Sequence, residues 1–195
     1  MALSDADRWN LRYLDDPKAS FEHPRELLIS HSNLIPKSGL ALDLAMGLGG
    51  NAKFLQSHGL RVVGVDVSSV AVIRAKNSAP GLMAIIADLN SFYIPPDTFD
   101  VILIFLYLQR DLWEPMVRGL KLGGILFIEC LTEQILDIHP EIDTDYLLKP
   151  GELMNIFSNS QIGSHVEILY SFEGWQSSGK SHPRPFADLI ARRIA

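Results

Sequence analysis

Apolar residues in this chain gather into short continuous runs, separated by longer stretches with helical spacing. The runs are Leu40–Ala45, Arg61–Asp66, Leu82–Ala87, Phe99–Leu106 and Ile125–Leu131. Runs that are continuous rather than alternating mark parallel strands covered on both faces. Helix signals fill the gaps. Residues 51–58 run into Gly59, a helix-ending glycine. Ser68 or Ser69 can cap a helix through Val70, Val72, Ile73 and Ala75. Residues 112–122 predict a further helix, closed by Gly123-Gly124. Phe99–Leu106 is the most hydrophobic run and is expected at the centre of the sheet.

Both ends of the chain depart from this alternation. Residues 4–15 have helical spacing, with Trp9 and Tyr13 at i, i+4. Pro24 at a first helical position opens a second helix through Leu27, Leu28 and Ile29. After residue 131 the pattern loosens. Residues 129–145 hold six acids, Glu129, Glu133, Asp137, Glu141, Asp143 and Asp145, without a lysine or arginine, and read as a solvated loop region. Pro150-Gly151-Glu152 opens a short helix through Leu153 and Phe157. Val166–Phe172 and Phe186–Ile194 read as a closing antiparallel pair. The expected fold is an open α/β sandwich with a mostly parallel sheet, one domain over residues 1–195, and a helical cap over 1–38.

Composition narrows the function classes. A chain of 195 residues that is 47% hydrophobic builds a full core without staples. A formal charge of −6 argues against a general nucleic-acid or anionic-membrane binder. The single cysteine, Cys130, allows neither an internal disulfide nor a thiolate metal cage, and reads as a small buried hydrophobe. Glu141-x-Asp143-x-Asp145 lacks the turn glycine and terminal glutamate of a calcium loop, so no metal is expected. The N-terminus is polar, and the longest apolar run, Val101–Leu108, is too short to span a bilayer. A cytoplasmic protein is expected, with neither nucleic acid nor membrane as partner and the oligomeric state open.

The chemistry centres on residues 40–54, LALDLAMGLGGNAKF. An apolar strand, a glycine turn and a helix start form the first half of a nucleotide-binding unit. Gly47-x-Gly49-x-x-Ala52 also fits a dinucleotide fingerprint, so an NAD(P)-dependent oxidoreductase is the first rival. Asp43 lies inside the first strand, where a nicotinamide site would have an apolar residue, and it can also pin the loop as a cap. Asp66 closes the second strand, where a carboxylate can accept two ribose hydroxyls. Asp88 closes the third, where a carboxylate can meet an adenine amino group. Three acids at successive strand ends form one ligand track.

This pattern resembles the class I S-adenosylmethionine-dependent methyltransferases, whose Rossmann-like sheet has seven strands, the last antiparallel, with helices on both faces. The resemblance implies S-adenosylmethionine as cofactor. It places Asp43, Ala45, Gly47, Gly49 and Asn51 at the methionine end, Asp66 and Val67 at the ribose, and Asp88 and Leu89 at the adenine. Trp9 and Tyr13 are lid residues, either packing there or touching the cofactor. Phe99–Leu108 and Leu120–Glu129 are similar to the family's later motifs. Ala45 replaces the family's first loop glycine, and its methyl group fits only if φ stays negative there. A non-catalytic relative is the second rival, supported by Ala45 and Met46 alone.

Several segments are similar to the tellurite-resistance group called TehB. These are Asp43 to Asn51, Asp88-Leu89-Asn90, Gly151-Glu152-Leu153, and Phe186-Ala187 through Ala191-Arg192. That group has a His-Arg pair before its last strand. Here His182 and Arg184 are separated by Pro183. The resemblance implies a soft or oxyanionic acceptor, with His182 and Arg184 as the candidate catalytic pair.

Overall fold

The computed structural model describes residues 4–15, 22–177 and 182–195. Seven strands form a sheet of order β3-β2-β1-β4-β5-β7-β6, where β1 is Gly39–Leu44, β2 Leu60–Asp66, β3 Met83–Ile86, β4 Phe99–Phe105, β5 Leu120–Leu131, β6 Val166–Gln176 and β7 Arg184–Arg193. The chain divides into two compact units, residues 1–93 and 94–195. The expected architecture holds: the sheet is parallel except for the C-terminal strand.

In the first unit β2 pairs in parallel with β1 and β3. Leu42, Leu44, Val62 and Val65 are fully buried, as continuous apolar strands require. Helix α1 spans Asp5–Asp15, α2 Glu26–Ser30, α3 Gly50–Ser57 and α4 Ser69–Ser78. Helix α2 starts later than its proline suggests, because Arg25 keeps an extended conformation as its N-cap. Ser68 caps α4 by accepting the Ala71 N–H at 3.1 Å.

In the second unit β4 pairs in parallel with β5, and β7 lies antiparallel to both β5 and β6. Helix α5 spans Trp113–Gly119 and α6 Glu152–Asn159. Two expectations change here. Gly123-Gly124 does not close a helix. α5 ends at Gly119, Leu120 already pairs with Phe99, and the glycines occupy a register shift inside β5. Glu129 is not part of a solvated loop. It lies 2% exposed in β5, cross-strand from the equally buried Asp188 of β7. The acidic run becomes irregular only after Leu131, in short 3₁₀ turns.

Candidate cofactor site

The turn from β1 into α3 depends on left-handed backbone. Ala45, Gly47 and Gly49 have φ of +52°, +53° and +77°. Glycine adopts this region freely, whereas a Cβ meets the following carbonyl. Ala45 therefore takes the conformation that its methyl group disfavours, and the condition of a negative φ, under which the sequence admits a methyl group here, is not met. The side chain at the next position is accommodated from β2. Met46 is buried, its N–H donates to the Val65 carbonyl at 3.0 Å, and its sulfur fills the space where a Cβ on Gly64 would stand. A large residue follows Ala45 because a glycine makes room for it in the neighbouring strand.

Asp66 ends β2 directly beside this turn. Its Oδ2 accepts the Gly47 N–H at 2.8 Å and its Oδ1 accepts the Ser68 N–H at 2.8 Å. Burial pushes its pKa upward, against the downward pull of the Ser68, Gly47 and Val67 N–H groups. Asp43 is 1% exposed. Its pKa is raised first by burial and then by the Asp66 charge, and the Ala52 N–H is its stabilising donor. Its Oδ2 has no hydrogen-bond partner among the described residues. A buried carboxylate oxygen of that kind suits a ligand that brings a donor or a positive charge.

Tyr13 covers the turn. It is 5% exposed, packs with Leu48 and Ala71, and stacks on Trp9 with ring centroids 5.6 Å apart. An added Cβ on Gly47 would lie 2.8 Å from the Tyr13 hydroxyl oxygen. Burial pushes the Tyr13 pKa upward, and the Asp66 carboxylate adds to that shift. Asn51 has a local duty, since its Oδ1 accepts the Arg25 N–H at 2.8 Å. Asp88 is exposed two residues beyond β3, and its Oδ1 accepts the Asn90 N–H at 2.9 Å in an Asx turn. Leu89 is buried and Val67 half-buried.

Sequence reasoning missed two residues. Asn10 of α1 accepts from the Ser68 hydroxyl at 2.7 Å and the Val70 N–H at 3.2 Å, joining positions some sixty residues apart. No local pattern announces such a contact. Leu106, after β4, has φ +58° and donates its N–H to the Glu129 backbone carbonyl at 2.7 Å. Backbone strain at a bulky residue just past a strand end marks a position held by its surroundings. In the second unit His182 is exposed, and Arg184 is the exposed first residue of β7, opposite Gln176.

Residues 41–124 match the family model of the methyltransferase domain. That match covers 84 of the 195 residues. S-adenosylmethionine is the cofactor of that domain, and the residues present suit it. Left-handed glycines leave no Cβ between backbone and ligand, Asp66 faces the turn, and Asp43 keeps an unmatched buried oxygen. No curated relative matches the sequence. Solved structures with the same fold include an S-adenosylmethionine-dependent methyltransferase from Mesorhizobium loti, 19% identical, TM-score 0.67, covering 90% of this chain and 99% of that one. TehB from Haemophilus influenzae is 17% identical, TM-score 0.71, covering 96% and 66%. A complex of the Haloferax volcanii Trm112 methyltransferase activator with a methyltransferase gives 13% identity, TM-score 0.72 and full coverage of both chains. No helix among the described residues is long and apolar enough to cross a membrane.

Proposed function

We propose that this chain transfers a methyl group from S-adenosylmethionine to a small-molecule nucleophile, with soft or oxyanionic acceptors, as in the TehB-like group, the first to try. The observation that supports this most is the cradle itself: Asp66 anchored by Gly47 and Ser68 beside two left-handed glycines, with the buried Asp43 beneath. Bound S-adenosylmethionine supplies an electrophilic methyl on a sulfonium. Asp66 accepts ribose hydroxyls with lone pairs that its two backbone donors leave over. Asp88, with Val67 and Leu89, takes the adenine, and Asp43 answers donors at the methionine end, beside Ala45, Gly47, Gly49 and Asn51. Asp43 and Asp66 together set negative charge against a cationic ligand, which relieves their own repulsion.

His182 and Arg184 offer donors and positive charge to an anionic acceptor. For a protonated acceptor, His182 is the base. The test is an acceptor panel of tellurite, selenite, thiols and small phenols, read as S-adenosylhomocysteine released. His182→Ala and Arg184→Ala should each lower turnover while calorimetry shows cofactor affinity unchanged. Full activity in both variants removes the pair from the mechanism. No product from any acceptor refutes the small-molecule reading.

One observation favours a second reading, in which a partner protein completes the enzyme. β3 is an edge strand without charge, and Met83, Ile85 and Ile86 are exposed along it. Such an edge suits strand addition by another chain. An activator of the kind present in the Haloferax volcanii complex would then raise turnover, and Ile86→Lys would abolish that gain.

A further inference from the structure

A cavity of about 370 Å³ opens in the second unit, between α5, the 3₁₀ turn Gly163–His165 and the end of β7. Val117 and Ile162 give it apolar wall, and Glu114, Arg118, His165 and Arg193 line the rest. It is remote from the candidate catalytic pair. Arg184 and Arg193 are the two ends of the ten-residue β7, which at about 3.4 Å per residue puts roughly 30 Å between them. An occupant of the cavity does not reach His182 or Arg184.

The surrounding backbone fixes the shape of this cavity. The His165 carbonyl accepts the Ile194 N–H at 2.9 Å, which holds the end of β7 beside the turn. A Cβ on Gly163 would lie 2.7 Å from the Phe157 carbonyl oxygen, so the turn is pressed against the end of α6. The Arg193 side chain is only 15% exposed. Its Nη1 donates to Asp97 Oδ1 at 2.6 Å, to the Arg118 carbonyl at 3.0 Å and to the Leu120 carbonyl, and its Nε donates to the Ala195 carbonyl at 2.9 Å. These bonds hold the guanidinium in one place and leave over Nη2, which has no partner among the described residues. The His165 imidazole likewise makes no hydrogen bond among them. Arg118 meets Glu114 at 3.9 Å, too far for a hydrogen bond.

Two guanidinium groups and an imidazole against one carboxylate favour an anion, and the arginine fork matches a planar carboxylate. Glu114 on the same cavity disfavours a doubly charged head. Val117 and Ile162 suit an apolar body. We propose that this cavity is a second small-molecule site, which binds a carboxylate with a short apolar body. Its head lies on Arg118 and Arg193 with His165 as a further donor, and its chain lies against Val117 and Ile162. An occupant joins α5 to the end of β7 and stabilises the folded chain by mass action.

Hexanoate is the probe, titrated by calorimetry into the full chain while the His165 ring resonances are followed by NMR. It should bind one to one and shift those resonances. Acetate, which lacks the body, and hexylamine, which reverses the charge, should each bind at least about tenfold more weakly. Arg118 is exposed and Ile162 half-buried, so Arg118→Ala and Ile162→Asp should keep the fold. Each should weaken hexanoate by about tenfold or more, the loss expected for one charge-assisted hydrogen bond or one repelling charge. Arg184→Ala should leave hexanoate affinity unchanged. Absence of binding at millimolar hexanoate, or unchanged binding in both cavity variants, overturns the site. Loss of binding in Arg184→Ala overturns it as well, because the carboxylate then sits at the candidate catalytic pair. Tighter binding of hexyl phosphate than of hexanoate overturns the carboxylate head.

Discussion

Replacing Ala45 with glycine isolates the strain in the turn. Ala45 sits at φ +52° and is half-buried, so the substitution removes one methyl and little packing. An L-residue in the left-handed region costs about 1–2 kcal/mol. Glycine removes that cost but gives the unfolded chain more freedom, worth about 0.4–1 kcal/mol in the opposite direction. The difference is a net stabilisation of about 0.8 kcal/mol. For a chain of 195 residues, an unfolding entropy of about 2.1 cal/mol/K per residue turns this into a rise of about 2 °C in Tm. Thermal unfolding by circular dichroism, with urea titration at fixed temperature, measures it. Gly47→Ala is the matched control. It brings in the strain and sets a Cβ 2.8 Å from the Tyr13 hydroxyl, so it should cost more than 1 kcal/mol. The reasoning fails if Ala45→Gly destabilises the chain as glycine does in an ordinary loop.

The remaining predictions concern Asp43 and the Met46–Gly64 contact. The folded-state pKa of Asp43 lies above its unfolded value, so the folded chain holds the extra proton and loses stability as pH rises from the ordinary carboxylate range through the raised value. Relative to the unaltered chain without cofactor, Asp43→Asn should therefore gain stability over that window, and paired urea titrations between acid and neutral pH should show the gap widening. A gap independent of pH refutes the raised pKa. Gly64→Ala drives a Cβ into the Met46 sulfur and should cost about 1–3 kcal/mol. Met46→Ala alone opens a cavity at about 2–5 kcal/mol, and the double variant should cost less than the sum. Additive losses in a denaturant cycle would mean that the two residues do not share the space.

Much of this protein is written locally. Continuous apolar runs mark β1, β2, β4 and β5 because a strand covered on both faces needs no alternation. The clustered glycines and the acids at 43, 66 and 88 mark the turn and strand ends proposed here to hold the cofactor, because backbone approach and hydroxyl recognition need those residue types in that order. Tertiary structure decided the rest, and each case is a contact between distant positions. The sign of φ at Ala45 follows from the path that joins β1 to α3. Met46 is tolerated because β2 places Gly64 beside it. Glu129 is buried because the last strand inserts next to β5 and sets Asp188 opposite. Tyr13 and Asn10 gain their roles only when α1 docks on the start of α4 and on the glycine turn. Periodicity reports which face of an element is apolar, but a close approach between elements exists only once packing has brought them together.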